Sequence, residues 1–170
     1  LEELPLMFNA LLAAMLLQAA AAAPDACTAV APPPAGMSGW ASPRPLDAGR
    51  TAKRATMLTP GVAVSARLSS TRDVRYAVRP EKPGGSVSYG GVFAFTVATP
   101  GRYRVALASG AWIDVLANGK PATSVAHGHG PACTGIRKMV DFDLTAGRYV
   151  LQVTGNGTAD LPLMVAKLPA

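Results

Sequence analysis

The sequence predicts an all-β protein: a single jelly-roll-like β-sandwich of eight or nine short antiparallel strands, following an N-terminal signal peptide. Three observations carry this. Apolar and polar residues alternate with period two in a series of short runs. Gly or Pro interrupts nearly every window in which a helical period of 3.6 could build up. Turn signals recur every eight to twelve residues or so, the spacing of sandwich strands.

The first segment reads as an address. From Met7 an apolar stretch runs to Gln18 and on through Ala19 to Ala23, the length and small-residue ending of a signal peptide. It is shorter than the roughly 20 apolar residues of a membrane span, so no transmembrane segment is expected. Small side chains at Ala20 and Ala22 place cleavage after Ala22. Residues 1–6 carry Glu2 and Glu3 where a signal peptide carries basic residues, and read as an upstream extension with Met7 as the start. Pro24-Asp25-Ala26 before Cys27 does not fit a lipid-attachment site.

Residues 23–48 form a Pro-rich arm. Pro32-Pro33-Pro34 favours an extended, solvated chain, and Trp40, between Gly39 and Pro43, is expected to pin the arm to the domain that occupies residues 49–170. The predicted strands then follow in order. Val62-Ala-Val64-Ser-Ala66-Arg-Leu68 and Val74-Arg-Tyr76-Ala-Val78 alternate, and Phe93-Ala-Phe95-Thr-Val97 puts three large side chains on one face. Pro100-Gly101 turns the chain into Tyr103-Arg-Val105-Ala-Leu107. Ile113-Asp-Val115 runs into Asn118-Gly119, the strongest two-residue hairpin signal, with Thr123-Ser-Val125 beyond it. Val140-Asp-Phe142-Asp-Leu144, the turn at Ala146-Gly147, Tyr149-Val-Leu151-Gln-Val153 and a last strand over Leu161 to Val165 complete the set. The strand, Gly turn and Arg-Tyr return at residues 93–103 are echoed at residues 140–149. In both copies the Tyr is expected inside, with Arg102 and Arg148 in solvent.

Composition narrows the function classes. Hydrophobic residues are 49% and charged residues 15% of the chain, which excludes a disordered acidic chain or a charged rod. Lys and Arg total 16 against 10 Asp and Glu, and the mature charge is about +8 once Glu2 and Glu3 are removed. Arg67, Arg72, Arg75, Arg79 and Lys82 are expected to form an electropositive edge. At 6% aromatic residues the chain lacks the stacking platforms of a nucleic-acid binder, so anionic lipid surfaces or envelope polymers are the expected partners.

The densest chemistry lies between Val125 and Lys138, where His127, His129 and Cys133 share a Gly-rich loop with Arg137 and Lys138. Imidazole and thiolate donors suit copper, zinc or iron, and His127 and His129 with Cys133 make a candidate site for one such ion. In an oxidising compartment the two cysteines instead pair. A Cys27 to Cys133 bridge would staple the arm to the sandwich across roughly 100 residues, contributing about 4 to 5 kcal/mol in the chain-entropy model. Trp112 is a candidate stacking residue and Asp114 a candidate partner for sugar hydroxyls, with His127, His129, Arg137 and Lys138 completing the expected ligand surface. No catalytic residues are assigned. A nucleophile elbow and a phosphate loop are both missing, and the spacing of Asp141 and Asp143 puts both on the outer face of a strand, beside arginines.

Five stretches resemble a group of small exported bacterial β-sandwich proteins of unestablished role: Tyr89-Gly-Gly-Val-Phe-Ala-Phe, Gly101-Arg-Tyr-Arg-Val-Ala-Leu, Ala111-Trp-Ile-Asp-Val, the loop from His127 to Lys138, and Ala146-Gly-Arg-Tyr. Members of that group often carry the name homogentisate 1,2-dioxygenase. That name implies a ring-cleaving oxidoreductase with Fe(II) held by two histidines and a carboxylate. Here both histidines sit in one loop and Glu81, the sole glutamate after the signal, is distant in sequence, so the residues do not support the name.

The expectation is therefore an exported, non-catalytic accessory or binding module of the periplasm or cell exterior, with carbohydrate or an anionic polymer as ligand. A metal-binding periplasmic protein is the second reading and the dioxygenase the third.

Overall fold

The computed structural model describes residues 27–170; the expected signal peptide lies outside the described residues. Among the described residues twelve strands form two sheets. In chain order they are β1 (Arg44–Asp47), β2 (Thr56–Met57), β3 (Ala63–Arg67), β4 (Ser69–Ser70), β5 (Tyr89–Val97), β6 (Gly101–Leu107), β7 (Trp112–Ala117), β8 (Lys120–Pro121), β9 (Ala126–Gly128), β10 (Lys138–Leu144), β11 (Gly147–Asn156) and β12 (Asp160–Lys167). One sheet has the order β1-β3-β12-β6-β10-β9 and the other β2-β5-β11-β7-β8, with β4 against β5. Successive long strands alternate between sheets, and β3-β12-β6-β10 facing β5-β11-β7-β8 is the strand order of a jelly roll. The long pairs are antiparallel, while the short strands β1 and β2 add parallel edges, so both sheets are mixed.

Period-two alternation builds the core. Val105 and Leu107 of β6, Val140 and Phe142 of β10, Leu151 and Val153 of β11 and Leu163 and Val165 of β12 meet between the sheets. The repeated turn is realised twice in the same way. Tyr103 and Tyr149 are buried, and each hydroxyl donates to the carbonyl four residues earlier, Thr99 at 2.9 Å and Thr145 at 3.0 Å. Arg102 and Arg148 are exposed as expected. Asn118 and Gly119 both take positive φ, 50° and 77°, the geometry a two-residue hairpin demands.

The outer face of the first sheet is also covered. Met37 and Trp40 of the arm pack on Ala63, Ala106, Met164 and Ala166, with Ile136 alongside. Trp40 Nε1 donates to the Thr134 carbonyl at 2.9 Å, and Cys27 is disulfide-bonded to Cys133, 106 positions away. The arm is thus fastened by the disulfide, by the Ala31 amide on the Cys133 carbonyl at 2.8 Å, by the indole, and by β1 on the sheet edge.

Two expected strands are absent as ladder strands. Residues 74–78 cross the outer face of the second sheet, and the Ala77 and Val78 amides donate to Gln152 Oε1 at 2.6 and 3.2 Å, while Tyr76 OH donates to the Val153 carbonyl. A buried side chain satisfies the donors that a neighbouring strand would have taken. Residues 123–125 form a connection: after β8 the Ala122 amide still donates to the Val115 carbonyl at 2.7 Å, and the chain then leaves β7 for β10, where the Val125 amide donates to the Asp141 carbonyl at 2.8 Å.

Candidate ligand-binding cleft

The second sheet is incomplete beside β7. β8 pairs only with Leu116 and Ala117, so among the described residues no strand flanks the β7 segment from Trp112 to Asp114 on that side. In the opposite sheet β9 covers only Asp141 to Met139 of β10. Both sheets therefore run out on the same flank, and a cleft of about 400 Å³ opens between them. Its floor is core: Ile113 and Val115 from β7, Val140 and Phe142 from β10. Its rim carries Trp112, Asp114, Ser124, His127 and Lys138. His127 lies opposite Val140 in the ladder and shares its face, which turns the imidazole to the cleft.

Trp112 is the centre of the rim. Its ring is partly exposed, and two ammonium groups approach it, Lys82 Nζ at 5.2 Å and Lys138 Nζ at 5.3 Å from the centroid. Trp112 Nε1 donates to Asp114 Oδ1 at 3.1 Å, the two residues sharing one face of β7. Lys138 Nζ donates to the Ala111 carbonyl at 2.8 Å. Burial favours the neutral form of both charged neighbours. It raises the Asp114 carboxyl pKa, against the pull of the Trp112 hydrogen bond. It lowers the Lys138 pKa, with the Lys82 charge acting in the same direction and Asp114 opposing.

Lys82 arrives from residues 71–88, an excursion closed at its base by Thr71 N–H to the Ser88 carbonyl and by a 2.8 Å hydroxyl pair between the same residues. Gln152 and Thr154, both fully buried on β11, hold this segment down, the latter through Thr154 Oγ1 to the Lys82 carbonyl at 2.8 Å. Gly90 lies under the Tyr76 ring, where any Cβ would collide with the Tyr76 hydroxyl. The sequence places Lys82 in a basic run, and only the fold carries it to Trp112, 30 positions on.

Of the six expected ligand residues, Trp112, Asp114, His127 and Lys138 meet in this cleft. His129 and Arg137 do not. They border a separate, open depression beside the disulfide, where the His129 Nδ1–H donates to the Arg137 carbonyl at 2.7 Å. Asp114 turns its Oδ1 to the indole, and its Oδ2 is buried without a partner, so it orients Trp112.

The donor set does not fit a copper, zinc or iron centre. Cys133 is consumed by the disulfide, the histidines face different hollows, and no three His, Cys, Asp or Glu side chains converge among the described residues. Asp141 and Asp143, on the outer face of β10, are each held bidentately by arginine. Arg104 binds Asp141 at 2.7 and 2.8 Å, and Arg102 binds Asp143 at 2.9 and 3.0 Å. Asp141 is buried rather than wet, because β9 covers it. Asp141 shares a small hollow with His127 alone, and His129 faces elsewhere, so the facial triad of a ring-cleaving dioxygenase is not assembled among the described residues. No protein-family model matches the chain, and no curated protein matches it.

Proposed function

We propose that this protein is an exported, non-catalytic β-sandwich module of the cell envelope that binds carbohydrate in the cleft between β7 and β10. The carrying observation is the placement of Trp112. Its partly exposed indole stands on a rigid strand, is oriented by Asp114, and forms the lip of a 400 Å³ cleft with an apolar floor and polar rim. A sugar ring offers an apolar C–H face to such an indole and hydroxyls to the polar groups around it. Export is supported by the signal-like segment of residues 1–22 and by the Cys27–Cys133 bridge, a bond that persists in oxidising compartments. No helix among the described residues is long and apolar enough to cross a membrane. The non-catalytic reading is supported by the engagement of Asp141 and Asp143 with arginine.

A panel of envelope and wall polysaccharides, neutral and acidic, tests this by affinity electrophoresis and calorimetry on the oxidised protein. At least one glycan binds, Trp112→Ala weakens it by about tenfold or more, and Trp40→Phe leaves it unchanged. Failure of every glycan, or binding indifferent to Trp112, contradicts the reading.

A further inference from the structure

Resting on that reading, we infer that the ligand is a linear acidic polysaccharide, gripped across two adjoining subsites with its anionic group between Lys82 and Lys138 at Trp112. Four observations support this. Among the described residues neither ammonium group forms an ion pair, although each lies over the same indole. Lys82 makes no side-chain hydrogen bond there and Lys138 makes one, to Ala111, so N–H donors remain on both for an incoming oxyanion. An electrostatic cost also awaits relief. Lys138 is held partly desolvated with Lys82 nearby, and an anion between them offsets both penalties.

The fourth observation is spatial. A second hollow of about 240 Å³ lies on the far side of Trp112, bordered by Lys82, Gly84, Gly110 and Thr154, and it shares Trp112 and Lys138 with the main cleft. The indole and the Lys138 side chain thus stand on the ridge between two depressions. Glycines keep the second depression open, and Gly84 is fixed in role: its φ is +83°, and a Cβ there would collide with Ser88 and Gly155. A single sugar fills one hollow. A chain of sugars crossing the ridge fills both and presents the charged substituent of one unit to the two lysines.

The test uses calorimetry on the full oxidised chain with uronates (galacturonate, glucuronate-containing and mannuronate series, one to six units), sulfated oligomers, and carboxyl-reduced counterparts. The expected result is that an acidic oligomer binds, that four units bind at least about tenfold tighter than one, and that affinity falls as salt rises. Lys82→Gln weakens binding about tenfold without altering the melting temperature, since Lys82 is exposed; Lys138→Gln does the same if circular dichroism shows an unchanged fold. Neutral glycans binding equally well, with Lys82→Gln silent, overturns the inference and leaves the carbohydrate reading standing. No glycan of either kind binding overturns both. Binding to anionic phosphatidylglycerol vesicles in place of the oligomers overturns both in favour of a lipid surface.

Discussion

Trp112 and Asp114, two residues apart on β7, are joined by an indole N–H to carboxylate hydrogen bond of 3.1 Å. That one contact leaves the other carboxylate oxygen, Oδ2, buried and without a partner. The protein therefore keeps a destabilising group in order to fix a partly exposed aromatic ring, a pattern in which stability is exchanged for a poised site.

Asp114→Asn is expected to stabilise the fold at neutral pH. Its carboxyl pKa is raised in the folded state, mainly by burial, so the folded protein holds a proton where the unfolded chain has lost it. Stability from this group is present at low pH and is lost as pH rises above the ordinary aspartate range. Asn keeps the acceptor for Trp112 and removes the charge. The variant gains about 1 kcal/mol at pH 7, from removal of a partly desolvated charge and discounted because the group retains some solvent contact, and nothing at pH 3. Urea unfolding at both pH values measures it; a difference independent of pH contradicts the assignment.

Gln152→Ala is expected to cost about 2 to 3 kcal/mol, since it orphans the Ala77 and Val78 amides and empties a buried site. Amide exchange should quicken across residues 71–88 while β5 and β7 stay protected. Because this segment carries Lys82 to the indole, ligand affinity falls as well.

The two Arg–Asp pairs on β6 and β10 should behave differently. Side-chain exposure is 18% for Arg104 and 8% for Asp141, against 49% and 56% for Arg102 and Asp143. Asp141→Ala leaves a largely buried guanidinium unpaired and costs about 3 kcal/mol. Asp143→Ala leaves the melting temperature nearly unchanged above pH 5. Arginine holds the Asp143 carboxyl below the ordinary aspartate range, so what little the pair adds is lost only as pH falls through that lowered pKa. Thermal melts of the two variants separate the cases.

The arm is expected to detach before the sandwich unfolds. Trp40→Ala removes an 8%-exposed ring from above Ala63, Ala106 and Met164 and costs about 3 kcal/mol. Cys27→Ser with Cys133→Ser lowers stability by up to about 4 to 5 kcal/mol on the chain-entropy argument. In both variants exchange should rise first at residues 31–41, with the β7–β10 cleft intact. Simultaneous loss of protection in β11 and β12 would show that the arm is part of the core.

The sandwich was legible in the sequence wherever apolar residues line one strand face and polar residues the other. Val140, Phe142 and Leu144 alternate with Asp141 and Asp143, and Asn118-Gly119 dictates its own turn. Val74, Tyr76 and Val78 alternate equally well yet form no ladder, because period two records only that alternate residues are covered. Here the cover is Gln152 and the outer face of β11 rather than a paired strand. β1, β2, β8 and β9 have four residues or fewer, too short for a period to register. Cys27 with Cys133 and Trp40 as anchor followed from chemistry that does not depend on neighbours. Trp112 was readable as a candidate from its residue type, Asp114 from its place beside it, and His127 and Lys138 from the loop they share. Lys82 was not, since its meeting with Trp112 depends on the path of the 71–88 excursion. His129 and Arg137 were drawn in by the same loop and instead line the hollow beside the disulfide.

Proton–nitrogen correlation spectra of the oxidised ¹⁵N-labelled protein, titrated with an acidic oligosaccharide of four or more units, test the central claim most directly. The two tryptophans supply an internal control. Saturable shifts of the Trp112 indole N–H with amides of β7, β9 and β10, and an unmoved Trp40 indole, are the predicted result. An unmoved Trp112, or shifts centred on His129 and Arg137 beside the disulfide, would contradict the cleft as the binding site.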